Sequence, residues 1–470
     1  MTSTTQRLPM RTKVAFGIGA AAEAGASIAF NTFNFLFYNQ VMGLSGTLCG
    51  LAVTLALGLD ALSDPIVGSL SDRHRSKLGR RHPFMFLAPL PLALFFFLIY
   101  VPPKGIGQVG LFLWFTGFTM LYRQAQTLYH VPHLALGAEL TTDYRERSVI
   151  MAWNALFGVI GGSAAFFFGW TWFSSVEGGS KVASGYPVFG AGIGLAAGII
   201  IFISSWFTRD RIPMLRQAAA DLPPFSLREL LAEIMGCLRN DNYRALLLGL
   251  ICVSATIGTR ETLQSHVSLF FWELPENKIR VFGLASPPAF LLAFFFAARA
   301  HARFDKRRAI VGAVALLMFA TAAPALLRFA GVMPENGSPQ LIRVLLLFVF
   351  LYYGALAMLV ISVLSALADV TDEHDLNTGK RQEGVFFAAR TFFSQVTTGL
   401  GHVVAGVAMD VIGFPSAAKV GEVDPDVVFR LGVVDGPIAA LPALAAMYFY
   451  GRYAISRDRL THIQTQLRAR

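Results

Sequence analysis

Asp60 and Asp64 stand four residues apart inside an apolar run, AVTLALGLDALSDPIVGSL (52–70). On a helix that spacing puts both carboxylates on one face. Two ionised acids this close repel each other, and a charge at mid-bilayer costs ~2.5–3.5 kcal/mol on insertion scales. Keeping both there requires a cation, a proton or a basic partner. A sodium ion accepts several oxygens and a proton neutralises one carboxylate, so the pair reads as a coupling-ion site with Na+ or H+ as the ion. Ser63 and, from a later apolar run, Thr127 would add hydroxyl oxygens. In the competing reading Asp64 only braces the end of its helix through the arginines that follow.

Few other ionisable groups interrupt the apolar runs: Glu23, Arg123, His130, His133, Arg260, Glu261, His266, Arg390 and His402. An unpaired acid at Glu23 points to substrate or proton binding. Arg260 and Glu261 are adjacent, so they leave their helix in different directions; a salt bridge to another span and a substrate or gate contact are both open. Arg390 either contacts substrate or snorkels to the membrane interface. His130 and His402 read as packed hydrogen-bonding residues or as proton relays.

The elements that must hold these groups are apolar runs at about residues 14–38, 46–70, 84–102, 109–136, 149–173, 186–207, 244–270, 280–300, 309–328, 343–368, 385–411 and 433–454. A spanning helix needs about 20 apolar residues, and in lipid each run must satisfy its own backbone, which makes it a helix. With 54% hydrophobic and 14% charged residues, against about 25% charged in a soluble domain, the chain excludes a large soluble enzyme and a disordered protein. The fold class is an all-α membrane protein of twelve transmembrane helices in two six-helix bundles.

The formal net charge of +10 sits in short loops, so it implies a lipid surface and not nucleic acid. Arg73, Arg75, Lys77, Arg80 and Arg81 follow the second run, and Arg303, Lys306, Arg307 and Arg308 follow the eighth. The positive-inside rule then places both termini in the cytoplasm of a multi-pass protein of the plasma (inner) membrane. The expected organisation is 1–207, a six-helix bundle; 208–243, a cytoplasmic linker; 244–455, a second bundle; and 456–470, a cytoplasmic tail. Within the linker, SLRELLAEIMGCL (226–238) predicts an amphipathic helix, with Glu229 three residues after Ser226.

Three cysteines without a CxxC pair indicate neither a disulfide framework nor a cysteine metal site. HExxH, a GxSxG elbow and a Walker lysine loop are absent, so the chain reads as neither an enzyme nor an ATP-driven pump. No cofactor and no obligate protein partner are expected beyond a small-molecule substrate and the coupling ion.

The stretch DALSDPIVGSLSDRHRSKLGRRHPF resembles the second-span and first-loop signature of the major facilitator superfamily. More narrowly, it resembles the glycoside–pentoside–hexuronide:cation symporters, the melibiose-permease family. FGIGAAAEAGASIAFNTFNFLFYNQVMGLS, VPHLALGAELTTDYRERS and ALADVTDEHDLNTGKRQEGVFFAARTFF resemble other parts of the same family, in both halves of the chain. The resemblance implies a twelve-helix fold with alternating access and symport of a solute with Na+, Li+ or H+. It implies a cation site at Asp60, Asp64, Ser63 and Thr127, with Asp60 and Asp64 ligating Na+ in a sodium-coupled protein. Ser63 stands where sodium-using members carry asparagine.

The family's sugar ligands transfer less well. Its first-span acid falls at Ala24, beside Glu23; its fourth-span acid at His130; its fifth-span arginine near Asn154; and its eleventh-span lysine at Gln395. Glu23, His130, Asn154, Arg260, Glu261, Arg390 and Gln395 are therefore the candidate substrate-binding or gating residues. The expected function is cation-coupled symport of a small organic solute, sugar- or glycoside-like. The alternatives are an amphipathic or lysolipid-like substrate, or a membrane sensor that does not transport.

Overall fold

The computed structural model describes residues 8–141, 143–215, 226, 228, 232, 235–379 and 383–469. Six of the thirteen residues of the predicted linker helix over 226–238, Glu229 among them, therefore lie outside the described residues. Helices dominate, and among the described residues there is no strand.

In the first half the helices are α1 (Met10–Leu36), α2 (Gly46–Arg73), α3 (His82–Leu87), α4 (Pro89–Ile99), α5 (Gln108–Glu139), α6 (Tyr144–Ser175) and α7 (Tyr186–Thr208). The second half holds α8 (Asp241–His266), α9 (Glu276–Ile279), α10 (Ser286–Phe329), α11 (Pro339–Thr378), α12 (Glu383–Val411), α13 (Pro425–Val433), α14 (Ala439–Gly451) and α15 (Arg457–Ala469). Local chemistry sets their ends. Ser45, Asn240 and Ser338 cap α2, α8 and α11 by accepting the amides of Leu48, Tyr243 and Leu341, the usual satisfaction of an orphan N–H. Gly379 closes α11 at φ 68°, a left-handed position open to glycine.

Ten helical stretches among the described residues are long and apolar enough to cross a membrane. One of these, Glu276–Phe329, holds two spans, because Asp305 breaks α10 at φ 67°, ψ 152°. The remaining span is α5, whose stripe of Arg123, Gln124, Gln126, His130 and His133 lowers its hydropathy below that of the others. These give the twelve expected helices. Large apolar side chains such as Leu90, Phe168, Phe294 and Phe295 are more than half exposed, as lipid-facing residues are.

By backbone packing the chain forms two compact units. The first comprises Met1–Phe225, Pro275–Pro287 and Pro415–Ala417; the second comprises Ser226–Leu274, Pro288–Phe414 and Ala418–Arg470. In the first unit α1 lies against α6 and α7, and α2 lies against α5. A Cβ at Gly161 of α6 would overlap the Ala21 backbone of α1. That close approach needs a residue without a side chain, as membrane helix contacts often do. Phe33 then packs against Trp170, Phe173 and Phe189, each at 4.9 Å between ring centres.

In the second unit α8 lies against α12 and α14. Tyr243, Val363, Phe386, Tyr450 and Tyr453 are among its buried core. The first helix of each half closes in the same way. Five-residue π-helical turns, Phe37–Val41 and Val267–Phe271, follow α1 and α8. Met42 N bonds to Phe37 O at 2.9 Å and Leu44 N to Tyr38 O at 2.8 Å. Trp272 N bonds to Val267 O at 2.9 Å and Leu274 N to Ser268 O at 3.0 Å.

Candidate functional site

The acids of α2 meet a polar stripe of α5. Arg123, Thr127 and His130 occupy positions i, i+4 and i+7, one face of a helix. Arg123 Nε donates to Asp60 Oδ2, and Gln124 Nε2 donates to Asp60 Oδ1 at 3.2 Å. Both carboxylate oxygens of Asp60, which is 3% exposed, are thus engaged from α5. Thr127 Oγ1 donates to Asp64 Oδ1 at 2.9 Å. Ser63 Oγ, buried between them, donates to the carbonyl of Asp60 at 3.3 Å. The basic loop after α2 is engaged elsewhere: Arg81 pairs with Asp72 and, at 2.9 Å, with Glu139, and Arg80 reaches Glu139 at 2.7 Å.

α1 joins the same stripe. Glu23 forms an ion pair with His130 Nδ1, and Gln126 Nε2 donates to Ser27 Oγ at 2.6 Å. One turn further along α5, His133 is fully buried and stacked on Phe16 at 4.1 Å. Its Nε2 lies 3.1 Å from Asn154 Oδ1 and its Nδ1 3.0 Å from Tyr129 Oη, which lies 2.9 Å from Ser204 Oγ. Asn154 is therefore the end of a buried chain linking α5, α6 and α7.

The second unit holds the other candidates. Arg260 of α8 pairs with Asp435 at 3.0 Å, and its guanidinium lies 5.2 Å from the ring centre of Tyr352. Glu261 and Gln395 are half-buried. Arg390 is half-buried, and its Nε is buried without a hydrogen-bond partner among the described residues. His402 Nδ1 lies 2.5 Å from Thr262 Oγ1.

Sequence reasoning listed Arg123 but left it out of the site, and it missed Gln124, Tyr129, Ser204 and Asp435. The helical stripe through Arg123, Thr127 and His130 is the signal that selects Arg123. Asp435 sits at the edge of the last apolar run, before Gly436 and Pro437, where it reads as a loop residue. Among the described residues, no three His, Cys, Asp or Glu side chains gather as a metal cage.

A family model described as MFS/sugar transport protein matches residues 15–457. The chain belongs to this family. As a member of the MFS/sugar transport protein family it is a multi-pass membrane transporter and not an enzyme. Among its relatives, the uncharacterized symporter sll1374 of Synechocystis sp. is 34% identical over 34% of this chain and 30% of that protein. The putative glycoside/cation symporter YagG of Escherichia coli is 24% identical over 98% of this chain and 95% of that protein. The crystal structure of the nucleoside transporter NupG superposes with a TM-score of 0.61 at 14% identity, covering 94% of this chain and 99% of that one. That likeness is one of fold. The chain thus shares its helical plan with NupG and nearly its whole length with YagG.

Proposed function

We propose that this cation-coupled symporter of a small organic solute is driven by protons, with Asp64 and the Glu23–His130 pair as the groups that exchange them. The observation that carries the reading is the Arg123–Asp60 ion pair. It places a fixed positive charge beside one of the two α2 acids. A second unit charge about 4 Å away is repelled by about 4 kcal/mol at an effective dielectric of about 20. A sodium ion therefore meets an arginine where it needs an oxygen cage. A proton needs only one carboxylate, and Asp64 offers one, already hydrogen-bonded to Thr127.

Alternating access then follows from linkage. A proton that favours the conformation also favoured by solute supplies the coupling free energy. Glu23 and His130 bind solute in exchange for part of their ion pair, while Arg260, Glu261, Arg390 and Gln395 are the second unit's own candidates for substrate binding or gating. The solute is sugar- or glycoside-like, in keeping with the name of YagG. The protein lies in the inner membrane with both termini cytoplasmic, divided at residues 207, 243 and 455.

The test is uptake into proteoliposomes, with a glycoside panel that includes a lysophospholipid. Accumulation should follow an imposed proton gradient at zero sodium gradient. Accumulation driven by sodium alone, with no proton gradient, overturns the proton reading. Accumulation of the lysophospholipid and no glycoside overturns the solute class.

A further inference from the structure

One end of the second unit carries a cavity of about 520 Å³ that the transport chemistry above does not use. Its wall includes four arginines, Arg239, Arg244, Arg452 and Arg459, and two acids, Asp241 and Glu373. Both acids are already occupied. Asp241 pairs with Arg244 at 2.5 Å. Glu373 is 4% exposed, pairs with Arg459 and accepts Asn242 Nδ2 at 2.8 Å and Asn240 Nδ2 at 3.3 Å. Among the described residues, the two remaining guanidinium groups meet no anion. That of Arg239 meets no hydrogen-bonding or ion-pair partner among the described residues. That of Arg452 meets, among the described residues, the Tyr448 ring, 6.0 Å from its centre.

The cavity also has a defined depth. The apolar stretch Asp241–Phe271 begins at it, and the stretches Pro339–Thr378 and Pro425–Gly451 end at it. Three helices long and apolar enough to cross a membrane have an end here, where polar and charged residues replace the apolar run, which points to the level of lipid headgroups. One wall, formed by Leu248 and Phe449, is apolar and continues into two of those spans. Guanidinium forks match phosphate oxygens, and basic pockets between membrane helices take anionic headgroups. The size lies within the range of about 300–1,000 Å³ usual for ligand sites.

We propose that this cavity binds the phosphate headgroup of an anionic phospholipid, held by Arg239 and Arg452, with its first acyl carbons against Leu248 and Phe449. The site includes the C-terminal helix. Arg459 is on α15, whose Ile463 is buried and whose Arg457 donates to the carbonyls of His301 and Ala302 at 2.9 and 2.6 Å. A headgroup held by Arg239 and Arg452 therefore ties the start of α8 to the end of α14, beside the Arg459–Glu373 pair that anchors α15 to α11.

The full chain, purified in neutral detergent, tests this by thermal unfolding, since a ligand of the folded form raises Tm. The probes are dioctanoyl-phosphatidylglycerol, dioctanoyl-phosphatidylcholine and inorganic phosphate. The proteins are wild type, R239Q/R452Q, and a control, R343Q/R430Q, at exposed arginines that do not line the cavity. Phosphatidylglycerol should raise Tm in wild type and control, the rise should vanish in R239Q/R452Q, and the other two probes should give none. An equal rise with phosphatidylcholine, or an undiminished rise in R239Q/R452Q, overturns the site. An equal rise with inorganic phosphate overturns the lipid as its ligand. Phosphatidylglycerol retained by wild type and R239Q in native mass spectrometry is the second readout, and equal retention also overturns the site.

Discussion

Arg123 on α5 donates its Nε–H to Asp60 Oδ2 on α2, so one of the two acids that define the candidate cation site already has a permanent cation beside it. Removing one partner of a buried pair leaves the other charge uncompensated, at about 3–5 kcal/mol. R123Q should therefore lower stability in detergent by roughly that amount. R123Q/D60N should recover most of it. Equal stability of the single and double variants, read by thermal unfolding, contradicts the pairing.

Asp64 accepts a hydrogen bond from the Thr127 hydroxyl at 2.9 Å. D64N should abolish concentrative uptake while solute exchange across the membrane at zero gradient persists. T127A removes one hydrogen bond to that carboxylate, about 1 kcal/mol, and should weaken uptake roughly five-fold without abolishing it. The check is paired uptake and exchange assays on the same proteoliposomes.

The Glu23–His130 pair joins α1 to the α5 stripe. E23Q and H130Q should each flatten the pH dependence of uptake, and each should raise KM for solute more than N154A does, since Asn154 belongs to the buried His133 chain. A pH profile unchanged in both variants would remove the pair from the proton path.

Gly161 takes the place where α6 meets the α1 backbone at Ala21. G161A forces the helices apart, and overpacking of this kind costs about 1–3 kcal/mol. The variant should lose stability by that amount, and G117A, with open space around its position, should not. Thermal unfolding of both proteins compares them directly.

The plan of twelve helices was legible because lipid imposes one rule on every span: length and apolarity. Its two least regular places were legible too: α5 reads as a run at 109–136 although its polar stripe turns inward to bind other helices, and the basic stretch around Asp305 separates 280–300 from 309–328. The site was legible in its residue types and not in its pairings. Asp60 and Asp64 stand out by cost, and Thr127 donates a hydrogen bond to Asp64. Whether Asp60 faces an ion or Arg123, and whether His130 faces Glu23, depends on how α1, α2 and α5 are rotated, which spacing along one helix does not encode. Asp435 escaped for a simpler reason. It lies where an apolar run begins, and its importance comes from Arg260, 175 positions earlier.

The paired closures of α1 and α8 carry a consequence for engineering. Each holds one more residue in its last turn than ordinary winding does, which advances everything beyond it by about 100°. Deleting a residue from Phe37–Val41 alone would reset the phase of the first half and spare the second. The same deletion made at Val267–Phe271 would do so in the second half and spare the first, so each half can be rephased by a single residue.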